Sequence, residues 1–522
     1  MGLILTLSVG LSACGGGTSG GGSSGSGGDP QFPQPPAGSA FLTQTDVDSI
    51  VQAAAATGNS DTMAIAVVDR VGNILAVWQG PNAPAQSPSN FGVMVPTAEL
   101  AVSLARTAAF FSNDQAPLSS RTVRYISGIH FPPGIKNTAN ADLYGIENTN
   151  RGCILSNNYI AGQQIPPATM IDGTPSHLGV ITGKANVMDS QPFAVNPGGV
   201  PIFKDNHDVG GIGIAGVPLD VAEFAALNGV NINADVRTPL PLPPPGAVVI
   251  GGIILPFVNQ TTAPSDLTPS APFDASRYIL TPIASAGPPP DGYLVGPNPA
   301  LMGGLTAAQV DGIVMNAVNT ANQTRASIRL PLGSRAHMMI AVSDLDGTIV
   351  ALYRMHDATI FSIDVAASKA RNMVYFSGPN RTTADIPGVP MGTAVSSRTI
   401  SFASMPFYPP GIDGSSVGPF FNLFLQDVAN PCTQGADPPG PPGPNLAQNQ
   451  SGIVFFPGAV PLYLNGMLVG GLGISGDGVD QDDFVTAGGM VGYEAPANIR
   501  ADQIIDQNVR LPYLHFPRNP TN

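Results

Sequence analysis

The residues with most chemistry to offer in this 522-residue chain are three cysteines and six histidines. Cys14 closes the run Leu11-Ser12-Ala13-Cys14 behind a short apolar stretch at 2–9. Small residues before a cysteine let a signal peptidase reach the bond, so Cys14 is expected to open a mature bacterial lipoprotein and carry its acyl chains. Each buried methylene contributes about 0.8 kcal/mol, and several chains together give stable anchoring. No Lys or Arg precedes the apolar run, which departs from the usual signal and leaves open a start upstream of Met1. Among the histidines none is spaced as HExxH, which argues against a catalytic zinc. No GxSxG elbow or Cys–His arrangement marks a hydrolase, and no enzymatic activity is expected. GxGxxG occurs at 211–216 and again at 471–476. Both copies fall on the return strand of a hairpin, not in the first turn of a βαβ unit. They read as glycines that let a helix pack close.

Those glycines belong to a longer duplication. PGGVPIFKDNHDVGGIGIAG at 197–216 returns without a gap as PGAVPLYLNGMLVGGLGISG at 457–476. MAIAVVDRVGNILAVW at 63–78 returns as MMIAVSDLDGTIVALY at 338–353, and LTQTDVDSIV at 42–51 as LTAAQVDGIV at 305–314. LARTAAFFS at 104–112 matches KARNMVYFS at 369–377. A repeat this long is a whole domain, not a solenoid module. Within each repeat the order is helix, hairpin, helix, long insertion, hairpin, short helix. Thr43 and Thr306 sit where helix caps belong, and alternating apolar runs around Gly-Asn and Asp-Gly read as hairpins. The expected fold is α+β: two tandem domains, each an antiparallel sheet flanked by helices. The expected boundaries are 1–14 signal peptide, 15–40 Gly/Ser/Pro tether, 41–231 first domain, 232–304 Pro-rich linker, 305–498 second domain and 499–522 tail. The linker is too long for a turn and is expected to drape over both domains.

Composition narrows the partners. Net charge is −14 with only 11% charged residues, so the chain cannot neutralise a phosphate backbone and nucleic acid is not expected as a partner. Beyond the first residues no apolar stretch reaches the roughly 20 residues a spanning helix needs. Hydrophobic residues make up 43%, enough for a substantial core despite 62 glycines and 53 prolines.

Three segments carry a family resemblance: AVVDRVGNILA in the first hairpin, VPIF…VGGIGIAG in the second, and SIDVAASKAR at 362–371 in the central helix. Tyr353-Arg354-Met355 adds a fourth, although His356 intrudes before Asp357. Together they resemble the GlcG/HbpS-like haem-binding family, in both repeats. The resemblance implies a profilin-like fold, a tendency to form homo-oligomers, and haem or another planar tetrapyrrole as ligand. Such a site needs an apolar slot, an axial donor and cations for the propionates. No CxxCH is present, so binding would be non-covalent. His207 lies on the second hairpin where the other repeat carries Met467, and both can ligate iron; a solvated turn histidine is the alternative. Arg106 and Arg371 hold matching places on the central helices and are candidates for the propionates, or for pairing with carboxylates. The expected function is therefore a membrane-anchored, non-catalytic haem-binding protein of the bacterial cell envelope. Gly15 after the lipidated cysteine favours the outer membrane. A structural or partner-binding lipoprotein without cofactor is the alternative. Cys153 and Cys432 occupy nearly equivalent insertions and are candidates for a disulfide between the domains.

Overall fold

The computed structural model describes residues 41–153, 169–174, 176–191, 196–232, 236, 248–287, 290–430 and 452–521. Cys14, the expected lipidation site, the expected tether and Cys432 lie outside them. Each repeat opens with a capped helix. Thr43 caps α1 (Gln44–Ala55) in a capping box with Asp46, and Thr306 caps the equivalent α5 (Ala307–Ala321) with Gln309. Strands β1 (Ala64–Asp69) and β2 (Ile74–Gln79) form the first hairpin. Its turn is held by Asp69, whose carboxylate accepts the backbone N–H groups of Val71, Gly72 and Asn73. The central helix α2 (Thr97–Phe111) follows, then α3 (Ser120–Tyr125), β3 (Gly199–Lys204), β4 (His207–Ala215) and α4 (Leu219–Gly229).

The stretch expected as linker adds a strand to each sheet, β5 (Tyr278–Leu280) to the first and β6 (Gly292–Val295) to the second. The second repeat continues with β7 (Met339–Ser343), β8 (Ile349–Arg354), α6 (Phe361–Ser377), α7 (Ser397–Ala403) and α8 (Phe421–Ala429). It closes with β9 (Ala459–Leu464), β10 (Met467–Ser475) and α9 (Val479–Gly489). The two five-stranded antiparallel sheets have the same order, β3-β4-β1-β2-β5 and β9-β10-β7-β8-β6. This is the expected α+β architecture.

The motif glycines have a packing reason. A Cβ on Gly211 or Gly213 would collide with the carbonyls of Ala105 and Ala101 in α2, and one on Gly471 or Gly473 with those of Ala370 and Ala366 in α6. The bare strand lets each central helix lie against its sheet. Every residue of α2 and α6 is buried, because the other repeat covers the side that the sheet leaves open. Phe111 stacks on Phe361 at 4.1 Å, and the Ile360 N–H donates to the Phe110 carbonyl at 3.1 Å. One apolar cluster runs through both repeats, taking Val68, Leu100 and Ala105 from the first and Met339, Ile363 and Ala370 from the second.

The correspondence between repeats outruns the boundaries read from the sequence. Ser119 and Thr122 donate to the carbonyls of Phe257 and Pro256, while Ser396 and Thr399 donate to those of Tyr513 and Pro512. Leu255-Pro256-Phe257 and Leu511-Pro512-Tyr513 are thus equivalent, so the correspondence reaches into the stretches expected as linker and tail.

Candidate functional site

The four residues proposed from the sequence do not converge. Arg106 and Arg371 are buried, and each donates its Nε to the turn of the first hairpin in its repeat, to the carbonyls of Gly72 at 2.9 Å and Gly347 at 2.8 Å. They pin equivalent turns to the central helices, which explains their matching positions without a ligand. Arg106 also donates to the Thr169 carbonyl at 2.6 Å, and burial lowers its pKa to about 10. Its Nη2 has no hydrogen-bond partner and borders a small cavity with Ser103 and Asn150. Met467, at the first position of β10, is 67% exposed. His207, its equivalent, sits with Nδ1 2.6 Å from Asp114, and that hydrogen bond raises its pKa.

His207 belongs to a polar seam where the repeats meet. The Asp114 N–H donates to Asp357 of the second repeat. Arg329 binds both Asp357, at 2.7 Å, and Asp477. Arg70 pairs with Asp208 at 3.2 Å, and burial pushes the Asp208 carboxyl well above the usual range. Arg354 and His356 share Asp291, at 2.5 and 2.8 Å. The seam is a closed exchange of charges. Among the described residues no group of three or more His, Cys, Asp or Glu side chains is placed to hold a metal ion.

A cleft elsewhere between the repeats has the better chemistry for a flat ligand. It encloses about 750 Å³ with its open mouth. Asn140, Ala141 and Asp142 come from the first repeat's insertion, and Arg398, Phe402 and Met405 from α7 and the turn after it. His515 closes the rim, its Nδ1 3.1 Å from Asp480. The backbone N–H of His515 donates to Asp483 at 2.9 Å. Arg398 reaches both Asp480 and Asp483, repeating the bidentate Arg121–Glu223 pair of the first repeat. Those two carboxylates raise the Arg398 pKa against its burial.

Asp142 and Val479 also line a narrow inner cavity walled by Phe111, Phe361 and Phe456, with Asp482 at its side. There Lys369 pairs with Asp482 at 2.9 Å; burial pushes the carboxyl up to about 7 and the ammonium down. His515, Met405 and Arg398 were not singled out from sequence. The available signal was LPYLHF at 511–516 answering LPFVNQ at 255–260.

Residues 305–490 match the family model described as haem degrading protein HbpS-like. Among solved structures, PduOC in its heme complex is 20% identical, over 36% of this chain and 94% of its own, with a TM-score of 0.23. Protein ORFY of Klebsiella pneumoniae is 17% identical, over 35% of this chain and 87% of its own, with a TM-score of 0.22. No curated protein matches the chain.

Proposed function

We propose that the chain holds haem or a related planar tetrapyrrole, non-covalently and without turnover, in the cleft beside His515. The observation that carries the reading is one cleft offering a donor and apolar walls. With its Nδ1 3.1 Å from the Asp480 carboxylate, the imidazole would offer Nε2 to iron. Phe402, Pro457 and Pro512 supply apolar wall, and Met405 adds a thioether. Arg398 is already balanced by two aspartates, so a ligand's propionates would face the open mouth. The match of residues 305–490 to a haem-degrading family supports the same ligand class.

Haemin titrated into the chain from residue 41 onward should give a saturable, shifted Soret band. His515→Ala should alter that band, while His207→Ala and Met467→Ala should leave it unchanged. A normal band in His515→Ala would remove the cleft from the reading, and no saturable band would end it. Bleaching under ascorbate and oxygen would replace holding by degradation.

The same proposal places the protein on the cell envelope, lipidated at Cys14. The support is the Leu-Ser-Ala-Cys run and the Gly/Ser stretch behind it. Among the described residues no helix is long and apolar enough to cross a membrane. Cys14→Ser should move the protein from the membrane fraction to the soluble one; retention would refute lipid anchoring there.

A further inference from the structure

The first repeat carries the frame of the same cleft with different residues in it. Arg121 pairs with Glu223 as Arg398 does with Asp483, and the Asn259 N–H donates to Glu223 at 2.8 Å as the His515 N–H does to Asp483. The Ala141 N–H donates to the Gly128 carbonyl, and the Gly418 N–H to that of Met405. Ser401, Met405 and His515, which line the second repeat's cleft, are thereby matched to Arg124, Gly128 and Asn259. In the first repeat this space is taken. The strap 185–191 lies across it, with Asp189 Oδ1 3.2 Å from Arg124 Nη2 and both residues buried. A Cβ on Gly128 would meet Ser190 Cα at 3.8 Å, so a side chain as long as methionine there would have to displace the strap.

The strap is a self-contained turn fastened at few points. The Asp189 carboxylate accepts the strap's own Ala185 and Gln191 N–H groups, at 3.0 and 2.8 Å, so it stays satisfied when it leaves the arginine. Apart from the ion pair, the Tyr144 hydroxyl donates to the Val187 carbonyl at 3.0 Å, and Val187 packs on the apolar cluster beneath. Ala185, Asn186, Met188 and Gln191 are exposed. No nitrogen of the Arg124 side chain has an aligned hydrogen-bond partner among the described residues, so the clasp is Coulombic alone. We propose that the strap is an internal occupant that keeps the first repeat's cleft shut, clasped by Asp189 on Arg124, so that the chain offers a ligand one cleft of a matched pair. Gly128 makes room for the strap, Arg124 holds it, and Asn259 leaves the closed cleft without an imidazole. The count of ligands rests on the tetrapyrrole reading; the closure does not.

The variant Arg124→Ser/Gly128→Met carries the second repeat's residues at both positions, and circular dichroism would verify its fold. Hydrogen exchange of amides 185–191, read by mass spectrometry, should run about tenfold faster in it than in the parent chain, while the α2 amides keep their rates. Asp189→Asn, which removes only the charge of the clasp, should quicken the same amides. Adding Asn259→His to the double variant should raise the haemin bound at saturation from one per chain to two. Unchanged exchange of the strap in these variants would overturn the closure. Two haemin per parent chain, or one per triple-variant chain, would overturn the matched pair of clefts. No haemin on either protein, with the strap released, would end the tetrapyrrole reading and leave the closure standing.

Discussion

Two buried ion pairs show how a duplicated sequence distributes charge. Arg70 and Asp208 pair in the first repeat, where the second has Leu345 and Leu468; Lys369 and Asp482 pair in the second, where the first has Leu104 and Ala222. Each frame tolerates either solution, because a buried pair and an apolar contact of similar volume differ little in net stability. The asymmetry appears when only one partner is removed. Lys369→Leu leaves the Asp482 carboxylate buried without its cation and should destabilise the fold by about 3–5 kcal/mol. Lys369→Leu/Asp482→Ala should recover most of that loss. Urea unfolding of the three proteins checks it: equal destabilisation by the single and double variants would mean that lost packing, not the orphaned charge, sets the cost.

At the scale of elements, much of the fold was legible and the cleft was not. The capped helices and both hairpins of each repeat follow from short-range chemistry: Thr43 and Thr306 cap, and Asp69 gathers a turn. The glycines of β4 and β10 were readable as helix-packing positions because their pattern stood on a return strand. The outer strands β5 and β6 were hidden. They are three and four residues long and lie in proline-rich sequence, so no period could reveal them. What seats them is long-range. The Tyr278 hydroxyl donates to Asp48 at 2.7 Å, and the Tyr293 hydroxyl to the equivalent Asp311 at 2.6 Å. The intervening segment therefore closes both sheets and does more than join them. The same limit explains the missed cleft. His515 matters only because α7 and α9 bring Arg398 and Asp480 beside it, and no spacing rule connects positions so far apart. Met467 shows the converse: its pairing with His207 was readable from the repeat, but its exposure was not.

For the whole molecule the decisive feature is that the repeats are not independent. Phe111 and Phe361 stack across them, and Arg151 of the first repeat's insertion reaches Asp427 of the second at 2.6 Å, both buried. Two residues beyond Arg151, Cys153 is disulfide-bonded. The polar seam adds a pH dependence to this union. His207 faces Asp114, Asp357 and Asp205; His356 faces Asp291, Asp357 and Arg354, with the His337 ring 6.5 Å away. The hydrogen bond from each imidazole to its aspartate is the main cause that raises its pKa above the ordinary 6.5. A histidine whose folded pKa is raised binds its proton more tightly in the folded chain. Its contribution is fully present below 6.5 and is lost as the pH rises through the raised value. Buried carboxyls with raised pKa values, Asp208 and Asp482 among them, act in the same direction from 3.8 upward, to about 7 for Asp482, since the unfolded chain ionises them first. The diagnostic quantity is therefore a difference between proteins. Urea midpoints measured from pH 5.5 to 8.5 should fall with rising pH, and His207→Gln/His356→Gln should flatten the part of that fall above pH 6.5. An unchanged slope in the double variant would show that the seam histidines do not couple the union of the repeats to pH.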